Sequence, residues 1–181
     1  MFKSVVLAGF FACTISAHAS DPFPLEMTGR IVYVEDGDTL TLLDEQHQQY
    51  RIRLTDLDAP ESPKPKYDKQ GQPFSKASAR NLTALSKGKN ASARCYEVDV
   101  NKRLVCRVIV GTVDVSLEQI RSGYAWANGA SARYVRDARA YEYEAQARRD
   151  RKGLWTDSAP IPPWLWRRQC WSEGSCAGAG E

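Results

Sequence analysis

The sequence predicts a mainly β domain with flanking helices: five strands closing a small barrel, with about three helices around it. Two observations carry that expectation. Runs rich in Val, Ile, Thr and Tyr recur at residues 28–34, 39–43 and 49–55, bounded by turn-forming residues, and two more strands fit residues 91–98 and 104–110. Helical patterns interrupt the strands once and follow them twice: after Gly71-Gln72-Pro73, at residues 115–122 and at residues 134–151. The chain has no internal repeat.

The first three strands are joined by turns at Asp36-Gly37 and around Asp44-Glu45. In the third, Arg51 and Arg53 alternate with Ile52 and Leu54, so both arginines leave one face while the apolar pair enters the core. The helix that follows has an apolar side of Phe74, Ala77, Leu82 and Leu85, with the small Ser78 beside them, and stops at Lys87-Gly88. Residues 99–103 connect the last two strands. Gly123 and Gly153 close the short and the long helix that come after. The end differs in kind: Pro160, Pro162 and Pro163, then Trp164, Trp166 and Arg167-Arg168, then a finish rich in Gly, Ala and Ser. Large aromatics are costly to expose, so those tryptophans are expected to pack back on the domain.

Residues 1–19 read as a cleaved leader: Lys3 near the start, an apolar run from Val5 to Ala12, and Ala17-His18-Ala19 as a small-x-small cleavage site. The run falls short of the roughly 20 residues that span a bilayer, so no stable membrane insertion is expected after cleavage. The chain then divides into a linker at 20–27, a domain at 28–157 and a Pro/Trp-rich tail at 158–181. About 160 residues suffice for one domain with a real core. With 25 Lys+Arg against 22 Asp+Glu, the total charge permits nucleic-acid binding without proving it. Of 5 cysteines, Cys13 lies in the leader, and the other four suit an oxidising compartment, which implies a secreted or periplasmic protein. Four cysteines allow three pairings. Cys95 and Cys106 fall in successive strands, where a cross-strand bridge fits, and Cys170 and Cys176 close a short loop. Their spacing, with no nearby His, is poor for zinc.

Several charged residues invite a chemical reading. Asp36 alone is a common turn former, but Asp38 begins a strand, where a carboxylate must face solvent, a cation or a basic partner. Pro60 restricts Ala59 to an extended shape, so Asp58 and Glu61 sit on a stiff turn. Asp38, Asp58 and the Ala59 carbonyl are hard oxygen donors of the kind calcium (Ca2+) takes, with places left for water and a phosphate oxygen. Glu61 is the candidate for positioning or deprotonating an attacking water. Arg53 and Arg103 carry the planar fork that clasps phosphoryl oxygens. Crowding of acids predicts that replacing Asp38 or Asp58 raises the stability of the metal-free protein.

On Asp36-Gly37-Asp38-Thr39, Arg51-Ile52-Arg53-Leu54, Asp58-Ala59-Pro60-Glu61 and Arg103, with Glu144-Ala145-Gln146-Ala147 and Gly153-Leu154-Trp155 behind them, the chain resembles the thermonuclease (staphylococcal nuclease-like) family from about residue 28 to 155. The resemblance implies a five-stranded oligonucleotide-binding (OB) barrel with three helices. It implies a calcium-dependent endonuclease that cuts DNA and RNA with little sequence preference and leaves 3′-phosphates. Asp38 and Asp58 would be the metal aspartates, Glu61 the glutamate at the attacking water, and Arg53 and Arg103 the phosphate-binding arginines. Lys64, Lys66 and Tyr67, with Lys69, resemble a mobile basic loop near the nucleotide, able to track phosphates and stack on a base. Tyr134 is the later tyrosine expected to approach the site. The implied partners are single-stranded DNA and RNA, and accessible duplex DNA, bound by a monomer. The chain departs from the family at Asn101-Lys102, where members commonly have Tyr-Gly, and Lys102 could instead contact the nucleic-acid backbone. That departure sustains an alternative, a catalytically weak nucleic-acid-binding OB barrel.

Overall fold

The computed structural model describes residues 23–176, and the leader lies outside the described residues. In chain order the strands are β1 (Leu25–Val34), β2 (Thr39–Leu43), β3 (Gln49–Leu54), β4 (Leu57–Asp58), β5 (Asn90–Val98), β6 (Leu104–Val110), β7 (Val113–Asp114) and β8 (Trp126–Ala127). The helices are α1 (Ser75–Ser86), α2 (Val115–Arg121), α3 (Arg139–Arg149) and α4 (Pro163–Trp166).

Five strands close the expected barrel. β1 pairs antiparallel with β2 and β5, β2 with β3, and β5 with β6, while β3 and β6 complete the circle in parallel, Ile52 opposite Leu104 and Leu54 opposite Cys106. A register shift between Ile31 and Tyr33 breaks the pairing of β1 with β2, a bulge of the kind that bends a strand serving two neighbours in a barrel. Alternation then fills the interior: Ile31, Leu40, Leu42, Ile52 and Val108 are fully buried. The paired Cys95 and Cys106 form a disulfide across β5 and β6, and Cys170 and Cys176 form a second in the tail.

Three sequence expectations need correction. β1 begins three residues earlier than the pattern suggested, at Leu25. The buried side of α1 is largely hydroxylic rather than apolar: Ser75, Ser78 and Ser86 join Leu82 inside, while Ala77 and Leu85 are only half-buried. Small hydroxyls fit there because they find acceptors, Ser78 Oγ donating to the Tyr124 carbonyl at 2.7 Å and Ser86 Oγ to that of Leu82 at 2.7 Å. The long helix starts at Arg139, not at residue 134. The buried Asp56 captures the intervening backbone, its Oδ1 accepting from the Arg136 and Asp137 N–H groups, while its own N–H donates to the Tyr134 carbonyl. A buried carboxylate that satisfies two backbone donors outweighs the local helical pattern.

The tail folds back as expected of its tryptophans, and adds the unforeseen α4 followed by a π-helical turn at Arg167–Ser172. Trp166 is 1 % exposed. Trp164 packs with Phe74 against a cluster built on Trp126 and Trp155, whose rings meet edge to face with centroids 5.2 Å apart.

Candidate nuclease active site

The Asp36–Asp38 turn is shaped by what surrounds it. A Cβ on Gly37 would lie 2.0 Å from Ser78 Oγ and 2.7 Å from the Ala59 Cβ, so only glycine lets the turn sit between α1 and the β4 exit. The buried Gln119 amide donates to the Gly37 carbonyl and to Ser78, tying α2 to both. Asp36 Oδ1 accepts the Asp38 N–H, and the Asp38 carbonyl accepts from Leu54, which fixes the turn against β3. Asp38 therefore enters the cleft beside Arg53, whose residue pairs with Thr39 across β2 and β3.

Asp58 ends β4, pinned opposite Trp126 on β8, with its side chain 1 % exposed. Arg53 Nη2 bridges the two acids, 3.5 Å from Asp38 Oδ2 and 3.2 Å from Asp58 Oδ1. Glu61 is held by Gln72, which accepts the Glu61 N–H through its side chain and donates its own N–H to the Glu61 carbonyl. Arg103 is 7 % exposed and reaches the same cleft through Thr39: its Nη1 donates to Thr39 Oγ1 at 2.9 Å, and Thr39 Oγ1 donates to Asp38 Oδ1 at 2.6 Å.

The changed connection before Arg103 is supported from an unexpected quarter. Lys102 adopts φ 59°, the left-handed conformation that glycine takes without strain. Asp99 stabilises it, accepting the Asn101 and Arg103 N–H groups at Oδ1 and gripping the Arg103 guanidinium through Oδ2, 2.8 Å from Nε and Nη2. Lys102 itself is exposed, and it is Asn101, its neighbour, that lines the cleft.

The charges differ in their settling. Burial alone would push the Asp38 carboxyl up, but Arg53 and Arg103, with the Thr39 hydroxyl, hold it below the usual carboxylate range. Burial raises Asp58 and Glu61, an effect only partly offset by a further guanidinium, that of Arg167. Burial and the Asp38 charge push Asp36 well above its ordinary value. For Asp58 burial outweighs the pairing with Arg167 and the Asp38 charge adds little, whereas for Asp38 the ion pairs outweigh burial, against the expectation from crowding.

Arg167 is the residue the sequence did not reveal. It arrives from the π-helical turn of the tail, 109 positions from Asp58, and donates from Nη2 to Asp58 Oδ2 at 2.7 Å and from Nη1 to Glu61 Oε1 at 2.6 Å. Lys64 adds a looser pairing, its Nζ 3.6 Å from Glu61 Oε2. The basic loop is folded on itself: Pro65–Tyr67 forms a 3-10 turn, Lys64 bridges to Lys69, and both amines lie over the Trp171 ring at 4.7 and 4.8 Å. Tyr67 is 65 % exposed with the Lys66 amine near its ring.

An open cleft of about 740 Å³ has Asp38, Glu61, Arg53, Arg103, Tyr67 and Trp171 among its walls, while the buried Asp58 lies behind Arg53 and Arg167. A second groove of about 560 Å³ shares Arg53, Asn101 and Arg167 with it and continues past Tyr134, Arg133 and Arg136. Tyr134 thus stands beside the site, not in the cleft with the acids.

Residues 51–157 match the family model described as "Staphylococcal nuclease homologue". The chain is 32% identical over 166 residues to the "Micrococcal nuclease" of Shigella flexneri, covering 87% of this chain and 90% of that one. It belongs to the staphylococcal nuclease family. Proteins named "Uncharacterized endonuclease" are also similar: one of Haemophilus influenzae at 32% identity (78% of this chain, 74% of that one) and one of Escherichia coli O157:H7 at 30% (80% and 87%). As a member of the staphylococcal nuclease family the chain is a nuclease, a phosphodiester hydrolase.

Proposed function

We propose that this nuclease is a calcium-dependent endonuclease that hydrolyses DNA and RNA with little sequence preference and leaves 3′-phosphates. The observation that carries the reading is the convergence of Arg53 on both Asp38 and Asp58, with Arg103 on the far side of Asp38 and Glu61 beside Asp58.

The donor set fits calcium. A single guanidinium nitrogen within 3.5 Å of two buried carboxylates marks a point where one cation serves both. Asp38, Asp58 and the Ala59 carbonyl would hold the ion, hard oxygens throughout, although among the described residues no group of three or more His, Cys, Asp or Glu side chains is arranged to hold a metal alone. The ion, when bound, supplies positive charge opposite a phosphate oxygen. Glu61, held by Gln72 and made a stronger base by burial, would draw the proton from the attacking water. Arg53 and Arg103 would meet the phosphoryl oxygens as charge builds on them, positioned in advance by Asp58 and Asp99. The bond to the 5′-oxygen breaks, and the phosphate stays on the 3′ side.

The second groove, with Arg133, Tyr134 and Arg136, together with Lys64, Lys66 and Tyr67 on the other flank, offers phosphate contacts and stacking faces to a single strand. Among the described residues α1, α2, α3 and α4 contribute no side chain to the cleft or the adjoining groove, which favours accessible DNA or RNA of any sequence; we take the protein to act as a monomer. We place the protein outside the cytoplasm after removal of residues 1–19, with a linker at 20–27, a nuclease domain at 28–157 and a tail at 158–181. The two disulfides are compatible with such a compartment, and among the described residues no helix is long and apolar enough to cross a membrane.

A binding barrel with little turnover remains the second reading, favoured by Arg167 lying on Asp58 and Glu61. End-group analysis separates the two. Digestion of labelled single-stranded DNA and RNA with calcium should give fragments that accept a 5′-label only at a free hydroxyl and carry a 3′-phosphate. Fragments with 5′-phosphates would overturn the proposed bond cleavage, and tight binding without fragments would favour the second reading.

A further inference from the structure

The tail brings a cation of its own to the acids. Arg167 makes three charge-assisted hydrogen bonds there, from Nη2 to Asp58 Oδ2 at 2.7 Å and from Nη1 to Glu61 Oε1 at 2.6 Å and Asp58 Oδ1 at 3.1 Å. Its partner Asp58 has a side chain 1 % exposed, so water satisfies little of that carboxylate. Contacts of this kind need a backbone held in register, and the tail supplies it. Trp166 is buried and its indole N–H reaches toward the Gln70 carbonyl at 3.4 Å, Trp171 donates to the same carbonyl at 2.9 Å, and the Lys64 and Lys69 amines cover the Trp171 ring. Cys170 and Cys176 close the turn behind them. Arg167 stands at the start of this anchored turn, its side chain 32% exposed but its guanidinium held by both carboxylates.

From this arrangement we propose that Arg167 is a built-in competitor for the divalent cation: in the metal-free protein its guanidinium occupies acceptor oxygens of Asp58 and Glu61, and calcium binds only by displacing it. The inference rests on the calcium reading of the site given above. The two cations want the same Asp58 oxygens, and both Asp58 oxygens are already accepting from Arg167. Being tethered, the guanidinium competes at a high effective concentration that dilution does not lower. Linkage then works in both directions. Arg167 weakens calcium binding, and calcium frees Arg167 by the same factor. A freed Arg167 still lines both the cleft and the adjoining groove, where it becomes a third guanidinium available to the bound strand. The tail thereby raises the calcium concentration at which the acids fill, keeping the site closed where calcium is scarce.

The test uses the full leader-free chain with both disulfides formed and no nucleic acid, titrated with calcium chloride by calorimetry. Arg167→Ala and Arg167→Gln should bind calcium about tenfold tighter than wild type or more, equivalent to about 1.4 kcal/mol. Arg168→Ala, which removes an equal charge from a side chain that is 72% exposed and paired with Glu173, should leave the affinity unchanged. Equal or weaker affinity in both Arg167 variants, each shown folded by near-ultraviolet circular dichroism, would overturn the competition while leaving the calcium site standing. No binding by any of the proteins would overturn both. Loss of charge alone is separated from displacement by NMR of the Arg167 side-chain N–H groups, identified by their absence in Arg167→Gln. They should be protected from solvent exchange without calcium and lose that protection at saturation. Protection that persists in the calcium-saturated wild type would refute displacement even if the affinities differ.

Discussion

Replacing Asp99 with alanine probes how the chain presents Arg103 despite its unusual Asn101-Lys102 connection. Asp99 accepts two backbone N–H groups, those of Asn101 and Arg103, each at 2.9 Å, and pairs with the Arg103 guanidinium at 2.8 Å. Taking about 1 kcal/mol for each bond to a backbone N–H, since water can replace part of it at this surface turn, and about 1.5 kcal/mol for the ion pair, Asp99→Ala should lower stability by roughly 3 to 4 kcal/mol. The contacts of Arg103 with Thr39 and Asp38 survive the change, so the side chain is misaimed rather than lost. A displacement of about 1 Å in a phosphate-positioning group costs about a hundredfold in rate, and that is the expected fall in initial cleavage rate on single-stranded DNA with saturating calcium. Urea unfolding gives the stability, and a gel-based rate below the unfolding midpoint gives the activity. A folded variant cutting within twofold of wild type would refute the claim that Asp99 holds Arg103 for the reaction.

Three further expectations follow from the same contacts. Asp38 is held below its usual range, so its ion pairs stabilise the protein at neutral pH and are lost as the pH falls through its depressed value. Asp38→Asn should therefore lower metal-free stability at pH 7 and flatten the loss of stability below about pH 4, which melting across a pH series would detect; an increase in stability at pH 7 would restore the simple crowding argument. Gly37→Ala drives a Cβ to within 2.0 Å of Ser78 Oγ and 2.7 Å of the Ala59 Cβ and should cost about 1 to 3 kcal/mol by urea unfolding; an unchanged unfolding midpoint would mean that the turn can shift to make room. Replacing Cys95 and Cys106 together by alanine opens a loop of 11 residues' separation and should cost about 3 kcal/mol, whereas an unchanged melting temperature would show the bridge to be dispensable.

The parts of the molecule legible in the sequence are those fixed by neighbours in sequence. The period of two in Arg51-Ile52-Arg53-Leu54 places Ile52 and Leu54 in the core and Arg53 at the cleft, because a strand leaves no other option. The β2 and β6 bounds fell where the runs of apolar and β-branched residues ended. What escaped depends on partners distant along the chain. Ser75, Ser78 and Ser86 look polar until the acceptors that bury them are known. Asp56 stops a helix pattern 80 residues away. Asp99 carried a local signal, an acid opening a turn with an arginine four positions on, and a closer reading of that turn would have found its grip on Arg103. Thr39 likewise adjoins Asp38, but its role between Asp38 and Arg103 needs the barrel to close. Arg167 carried no such signal, since its place beside Asp58 and Glu61 exists only once the tryptophans of the tail have docked.

The most direct test of the account incubates the leader-free protein with labelled single-stranded DNA and RNA, with calcium or with a calcium chelator, alongside Glu61→Gln. Cutting should require calcium and fall by at least about tenfold in Glu61→Gln, the lower bound expected for a lost acid–base group. Wild-type rates in Glu61→Gln would contradict the proton-taking role, and cutting undiminished in the chelator would contradict the calcium-dependent site on which the account rests.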